Sequence, residues 1–307
     1  MPTQALKSLL DRDLSVASAS DQIVPATKVL DEAVNYATNL LGRCFASCGS
    51  DADTTVCLIF HQLLEALDGV SIHLSKGAPV AARPGIRTAF ETLLYLNYIA
   101  LDQSHYEKRA LSYLATEIHA RIRLRRQYDS SDQLGKEFRK AFSQDRYARK
   151  VTLPKLPDTK VQIKKYETWL KLPSLSPIEV ERQRVRKKGN RTPEWFSLFG
   201  GPPNRKVLAE KVGFGGVYEF LYREWSRTAH GLDLLRLMQK DPSGQPAVRQ
   251  LRDPSETVTI LSLAMSFLLN AMNIIQAQLR PGEEHIKAKW YMEEIKPDYD
   301  ILMGKRK

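Results

Sequence analysis

Residues 256–279 read ETVTILSLAMSFLLNAMNIIQAQL, and this stretch decides the fold. As a helix it would be about 35 Å long, enough to cross a bilayer. Ser262, Ser266, Asn270, Asn273 and Gln276 interrupt it, and the sequence offers it no companion span. The central helix of a bundle fits that pattern better than a membrane segment. Working outward, residues 21–48 place Ile23, Val29, Leu30, Ala33, Val34, Ala37, Leu40 and Leu41 at helical spacing, with Asp21 as the expected N-cap. Residues 53–75 repeat the pattern and Gly77 is a natural stop. A third apolar helix is expected from Ile86 to Leu101. Residues 105–128 read as an arginine-rich helix buried on one face. A further helix is expected over Gly216–Gln239, ended by Asp241–Pro242–Ser243–Gly244, and a final amphipathic one over Glu283–Glu294. No strand alternation of useful length and no solenoid repeat appears, so the expected class is all-α, a multi-helix bundle.

Composition excludes several classes. Hydrophobic residues make up 43% and charged residues 26% of 307, which rules out wholesale disorder. Three cysteines (Cys44, Cys48, Cys57) exclude a disulfide scaffold and fit a reducing cytosol. Lys7, Asp11, Arg12 and Asp13 break the N-terminal stretch before a signal-peptide core forms. The expectation is a cytoplasmic protein with no membrane partner.

The net charge of +11 is local: residues 136–191 hold 17 basic and 6 acidic side chains, and the remainder balances. Prolines 154, 157, 173 and 177 break this window into short helices and loops. The sequence therefore divides into bundle helices over 1–135, a basic insertion over 136–205, and returning bundle helices over 206–307. Within the window Lys160, Lys164 and Lys165, then Arg182, Arg184, Arg186, Lys187, Lys188 and Arg191, lie near Tyr147, Tyr166 and Trp169. Clustered cations hold polyanions by releasing counterions, and aromatics stack on exposed bases. The alternative is a solvated insertion whose lysines serve solubility.

Two constellations bear chemistry. Arg87 and Glu91 lie four apart on an apolar helix, so they are expected to pair or to reach polar groups on another helix. In Tyr222-Arg-Glu-Trp-Ser-Arg-Thr-Ala-His230, residues Arg223, Ser226, Arg227 and His230 fall within roughly 100° of one helical face. An imidazole can move the 2′-hydroxyl proton of RNA and a guanidinium can stabilise charge on phosphorus, which is a minimal set for metal-independent cleavage. A solvated helix face with a hydrogen-bonded histidine explains the same spacing. Cys44, Cys48 and His61 lack a fourth ligand at zinc spacing, and the remaining histidines are scattered, so no metal is expected. The glycines of Gly213–Gly216 follow no strand and precede no phosphate-loop lysine, so no cofactor is expected either.

The run KGAPVAARPGIRTAFETLLYLNYI resembles the Arg-x-x-x-Glu helix of an uncharacterised family of bacterial all-helical proteins. The run EWFSLFGGPPNRKVLAEKVGFGGVYEFLYREWSRTAHG resembles that family's second block, a Trp followed by a Tyr-Arg-x-x-Ser-x-x-x-His helix. Arg87, Glu91, Trp195, Tyr218, Tyr222, Arg223, Ser226 and His230 carry the match, over roughly residues 75–280. The second block also resembles, more loosely, the Arg-(four to six)-His signature of the HEPN superfamily. Two departures stand out: Glu224 follows the arginine where active members carry Asn, Asp or His, and Pro84–Gly85 interrupts the first helix.

The resemblance implies a HEPN-like bundle, a homodimer, and an RNA-directed effector of antiphage defence or toxin–antitoxin biology with a cognate partner. His230 would be general acid/base and Arg223 the phosphate clamp, with Ser226 and Arg227 supporting them. Arg87, Glu91 and Tyr222 would brace the centre. The competing expectation is a non-catalytic nucleic-acid-binding or scaffold protein whose polar centre is structural.

Overall fold

The computed structural model describes residues 12–150, 156, 158–189, 192–225, 234–240, 243–249 and 251–305. The chain is all-α. Its only β structure among the described residues is a two-stranded antiparallel hairpin, β1 (Met238–Lys240) and β2 (Pro246–Val248). Two compact units form, Met1–Leu101 with Ala209–Lys307, and Asp102–Leu208. They divide after Leu101 and Leu208, where the sequence reading sets its boundaries at 135/136 and 205/206.

In the first unit a short α1 (Arg12–Ala17) leads into α2 (Ser20–Ala46), α3 (Asp51–Ser75) and α4 (Pro79–Ala100). Asp21 is not the cap of α2. Ala19 occupies that position, and Asp21 sits in the first turn, where its charge faces the positive end of the helix. Helix α3 starts at Asp51 because Ser50 caps it, its hydroxyl accepting from the Asp53 N–H at 3.1 Å.

Helix α4 begins a full two turns before Ile86 and runs unbroken through Pro84. Pro84 is the sixth residue of α4, so its missing N–H costs the helix the one internal bond that the Val80 carbonyl would accept. Gly85 lets α3 come close, since a Cβ there would lie 2.9 Å from Val70 and 3.1 Å from the Ala66 carbonyl.

The second unit ends at Leu208, within α9 (Arg205–Lys211); α10 (Gly215–Phe220) follows and widens into a π-turn, Leu221–Trp225. Met238 and Gln239, expected to close a helix, lie in β1 instead. Between the two strands Gly244 stands at φ 85°, and Met238 pairs with Val248.

The decisive stretch forms α11 (Thr257–Leu279), which packs against α2, α3 and α4. Ile260, Leu261, Ala264, Met265, Leu268, Ala271, Met272 and Ile275 are all fully buried. Among the described residues two helices, not one, are long and apolar enough to cross a membrane: Asp51–Ser75 and Pro254–Leu279, with 56% and 50% of their apolar windows buried here. The terminal helix is longer than expected: α12 (Glu284–Trp290), a π-turn Tyr291–Ile295, and α13 (Lys296–Leu302).

Thr257 is fully buried and its hydroxyl has no hydrogen-bond partner. Thr257→Val keeps the shape and removes the unmet polar group, so stability should rise by about 1 kcal/mol. Thermal unfolding reads this as a higher midpoint. A lower midpoint would show that the hydroxyl is bonded after all.

The second unit is built on α5 (Tyr106–Tyr128), against which α6 (Gln133–Gln144), α7 (Thr159–Trp169), α8 (Ser176–Gly189) and the 3-10 turn Trp195–Gly200 pack. Leu111, Ala115, Ile118, Ile122, Leu175, Ile178 and Leu198 form its core, with Ile163, Tyr166 and Leu170 of the α7 segment laid against it. At the α5–α6 turn Gly135 is buried against backbone: a Cβ would collide with the Asp129 carbonyl oxygen and lie 2.7 Å from its carbon. Buried Glu181 takes two hydrogen bonds from Arg184 (2.6 and 2.7 Å) and one from the Phe199 N–H (3.0 Å). It thereby holds Phe199 in the left-handed region (φ 56°), which a phenylalanine adopts only at a cost.

Candidate functional site

Helix α4 is apolar on most sides, so its charged residues need partners. Arg83, Arg87 and Glu91 recur every four residues and therefore share one face. The Arg87 Nε donates to Glu91 Oε1 at 3.2 Å, and the Tyr222 hydroxyl donates to the same oxygen. The Arg87 guanidinium also lies over the Tyr222 ring, 4.3 Å from its centre, and Tyr218 stacks on Tyr222 at 4.2 Å. The expected pairing on α4 is thus met, and the polar group reached on another element is a phenol of the π-turn.

One turn earlier the arrangement repeats. Arg83 grips Glu256 through both Nε (3.1 Å) and Nη2 (2.7 Å), while its guanidinium lies 5.4 Å from the centre of the Trp225 ring. Two arginines of α4 therefore each meet a carboxylate and an aromatic of the π-turn, forming a two-rung clasp. π-turns gather at functional sites, and this one holds Arg223.

The clasp sets the charge states. Burial opposes the cation on Arg87, but the bonds and charges of Tyr222 and Glu91 prevail and hold its pKa above the ordinary value. Burial, then the bond to Glu91 and its charge, push the Tyr222 phenol up, against the opposing pull of Arg87. At neutral pH the phenol keeps its proton and remains the donor.

Of the proposed catalytic group, Arg223 lies in the π-turn with its side chain outside the described residues, as are Ser226, Arg227 and His230. Arg83 and Glu256 went unmarked in the sequence. Arg83 was open to the same argument as Arg87, one turn away on an apolar helix. Glu256 carries no local signal, because the contact spans 173 positions.

The second unit, taken by itself, holds 25 basic and 12 acidic residues, a net of +13, against 21 and 23 in the first. On α7, Lys160, Lys164 and Lys165 are exposed, and Lys165 Nζ lies 5.1 Å from the centre of the partly exposed Trp169 ring. On α8, Arg186 and Lys187 are exposed. Arg184 is bound to Glu181, and Arg182 turns inward to donate to Thr116 Oγ1 at 3.1 Å, where burial pulls its pKa down. The Lys188 side chain and Arg191 lie outside the described residues. Trp195 packs edge-on against Tyr113 of α5, 5.4 Å between ring centres. Among the described residues no group of three or more His, Cys, Asp or Glu could hold a metal ion.

A model for a Family of unknown function (DUF5677) matches residues 53–246, which include every position of the two blocks above. No curated protein and no solved structure matches the chain.

Proposed function

The chain belongs to the DUF5677 family, and we propose that it is an RNA-directed effector whose second unit holds the phosphate backbone. The observation that carries this is the exposed surface of α7, which bears Lys160, Lys164 and Lys165, with Lys165 against the Trp169 ring. Such a face offers charge to phosphates and a ring for an unpaired base to stack on, and it carries no sequence code. Arg186 and Lys187 of α8 extend the charge of the unit. Arg182 and Arg184 serve it less, since Thr116 and Glu181 already occupy them.

The test is binding of a single-stranded RNA oligonucleotide across a salt series. Substituting Lys160, Lys164 and Lys165 together by alanine should flatten the slope of log affinity against log salt by about 2. An unchanged slope removes α7 from the interface.

The finer proposal is a HEPN-like, metal-independent endoribonuclease in defence or toxin biology, acting as a homodimer. His230 would be general acid/base, Arg223 the clamp, and Ser226 and Arg227 supporting groups. The clasp supports it, because two buried or half-buried arginines anchor the turn that carries Arg223. Cleavage of RNA in chelator should then be lost in His230→Ala; activity that survives removes His230 from the mechanism.

One observation favours the non-catalytic alternative. Arg87, Glu91 and Tyr222 satisfy one another, as a purely structural centre would. That reading expects RNA binding without cleavage in the wild type.

A further inference from the structure

All three cysteines of the chain meet at the junction of α2 and α3. Cys44 is in the last turn of α2, Cys48 in the four-residue link Ser47–Ser50, and Cys57 in the second turn of α3. The Cys48 and Cys57 sulfurs touch at 3.6 Å, and the Cys48 sulfur also lies 3.5 Å from the Cys44 carbonyl oxygen. Cys44 and Cys57 are fully buried, whereas Cys48 is partly open to solvent. Sequence spacing suggests only core cysteines here, because it compares Cys44 with Cys48 and not Cys48 with Cys57, nine positions on.

We propose that Cys48 and Cys57 are a redox modification site, which a hydroperoxide converts into an intramolecular disulfide. This inference is independent of RNA binding. The two sulfurs already face each other, and forming the bond needs them to approach by roughly 1.5 Å. The link carrying Cys48 can supply that movement, being outside both helices and next to Gly49.

The chemistry balances in two steps. The Cys48 sulfur attacks the peroxide, breaking its O–O bond; Cys48 becomes a sulfenic acid and the peroxide leaves as an alcohol, or as water from hydrogen peroxide. The Cys57 sulfur then attacks the Cys48 sulfur, displacing hydroxide, which takes the Cys57 proton and leaves as water. The peroxide is reduced by two electrons and the thiol pair is oxidised by two.

Burial fixes the order of events. It pushes the Cys44 thiol up to about 11 and the Cys57 thiol up as well, so both stay protonated and shielded from the oxidant. Cys48 alone of the three is reached from outside, and Cys57 is the sulfur it touches.

The test treats the folded full-length protein with hydrogen peroxide, then counts free thiols and maps peptides without reduction. Titratable thiols should fall from three to one, with loss of two hydrogens from the intact mass and a Cys48–Cys57 linked peptide that a reductant abolishes. Cys44→Ala should still form the link, and Cys48→Ser, at a partly exposed position in a turn, should not. The proposal is overturned by a link through Cys44, by Cys48 advancing to sulfinic acid with Cys57 still free, or by three unreacted thiols. Circular dichroism on each variant keeps a folding failure from being counted as a result.

Discussion

Arg83→Ala is expected to destabilise the first unit by about 3 kcal/mol, the lower end of the range for breaking a buried ion pair. The Arg83 side chain is only 9% exposed and Glu256 23%, so truncation leaves a carboxylate short of both water and its partner. Stacking over Trp225 is lost as well, worth about 1 kcal/mol. The lower end applies because Glu256 retains some contact with solvent. Arg83→Lys should recover little, since an ammonium cannot form the two-pronged contact that Nε and Nη2 make. Denaturant unfolding of the single variants, Glu256→Gln and the double variant measures the coupling. A loss below about 1 kcal/mol for Arg83→Ala would mean that the clasp contributes little to stability.

A comparable loss, about 3 kcal/mol or more, is expected from Gly135→Ala, by a different mechanism. Alanine is ordinarily the better helix former, and propensity alone would favour it by about 1 kcal/mol. Here the added carbon meets the Asp129 carbonyl group and comes within 3.0 Å of the Arg126 carbonyl oxygen. Backbone cannot swing aside as a flexible side chain can, so the α5–α6 turn must open or α6 must lift away. Hydrogen exchange locates the effect: protection should fall across residues 106–144 and stay unchanged across α2, α3 and α11. A neutral or stabilised variant would show that α6 stands further from α5.

Residues whose partners lie within one turn could be read from the sequence. Arg87 and Glu91 are four apart, and an apolar helix around them forces the pairing. The period of 257–279 placed α11 for the same reason: a helix apolar on nearly every side has to be surrounded. Tyr222 is different. Its bond to Glu91 spans 131 positions, and it came into view through the family resemblance rather than through spacing. Glu256 is more remote still, 173 positions from Arg83, and had neither kind of signal. Where local rules misjudged, context outweighed them. Pro84 sits inside α4, where the buried flank on both sides of it (Ala82, Ile86, Ala89) holds the helix together, and Pro297 opens α13 rather than ending the helical segment. The basic window misled in another way: a count of charges does not distinguish Arg182, which turns inward to Thr116, and Arg184, which is paired with Glu181, from the exposed Lys164 and Lys165.

The division of the chain has a consequence for its synthesis. Helix α11 fills the centre of the first unit, yet a ribosome makes it only after the whole of Asp102–Leu208 has emerged. Residues 102–208 have every helix of their own core to hand and can collapse while translation continues. Helices α2, α3 and α4 must meanwhile wait with a greasy flank uncovered until α11 arrives to close it.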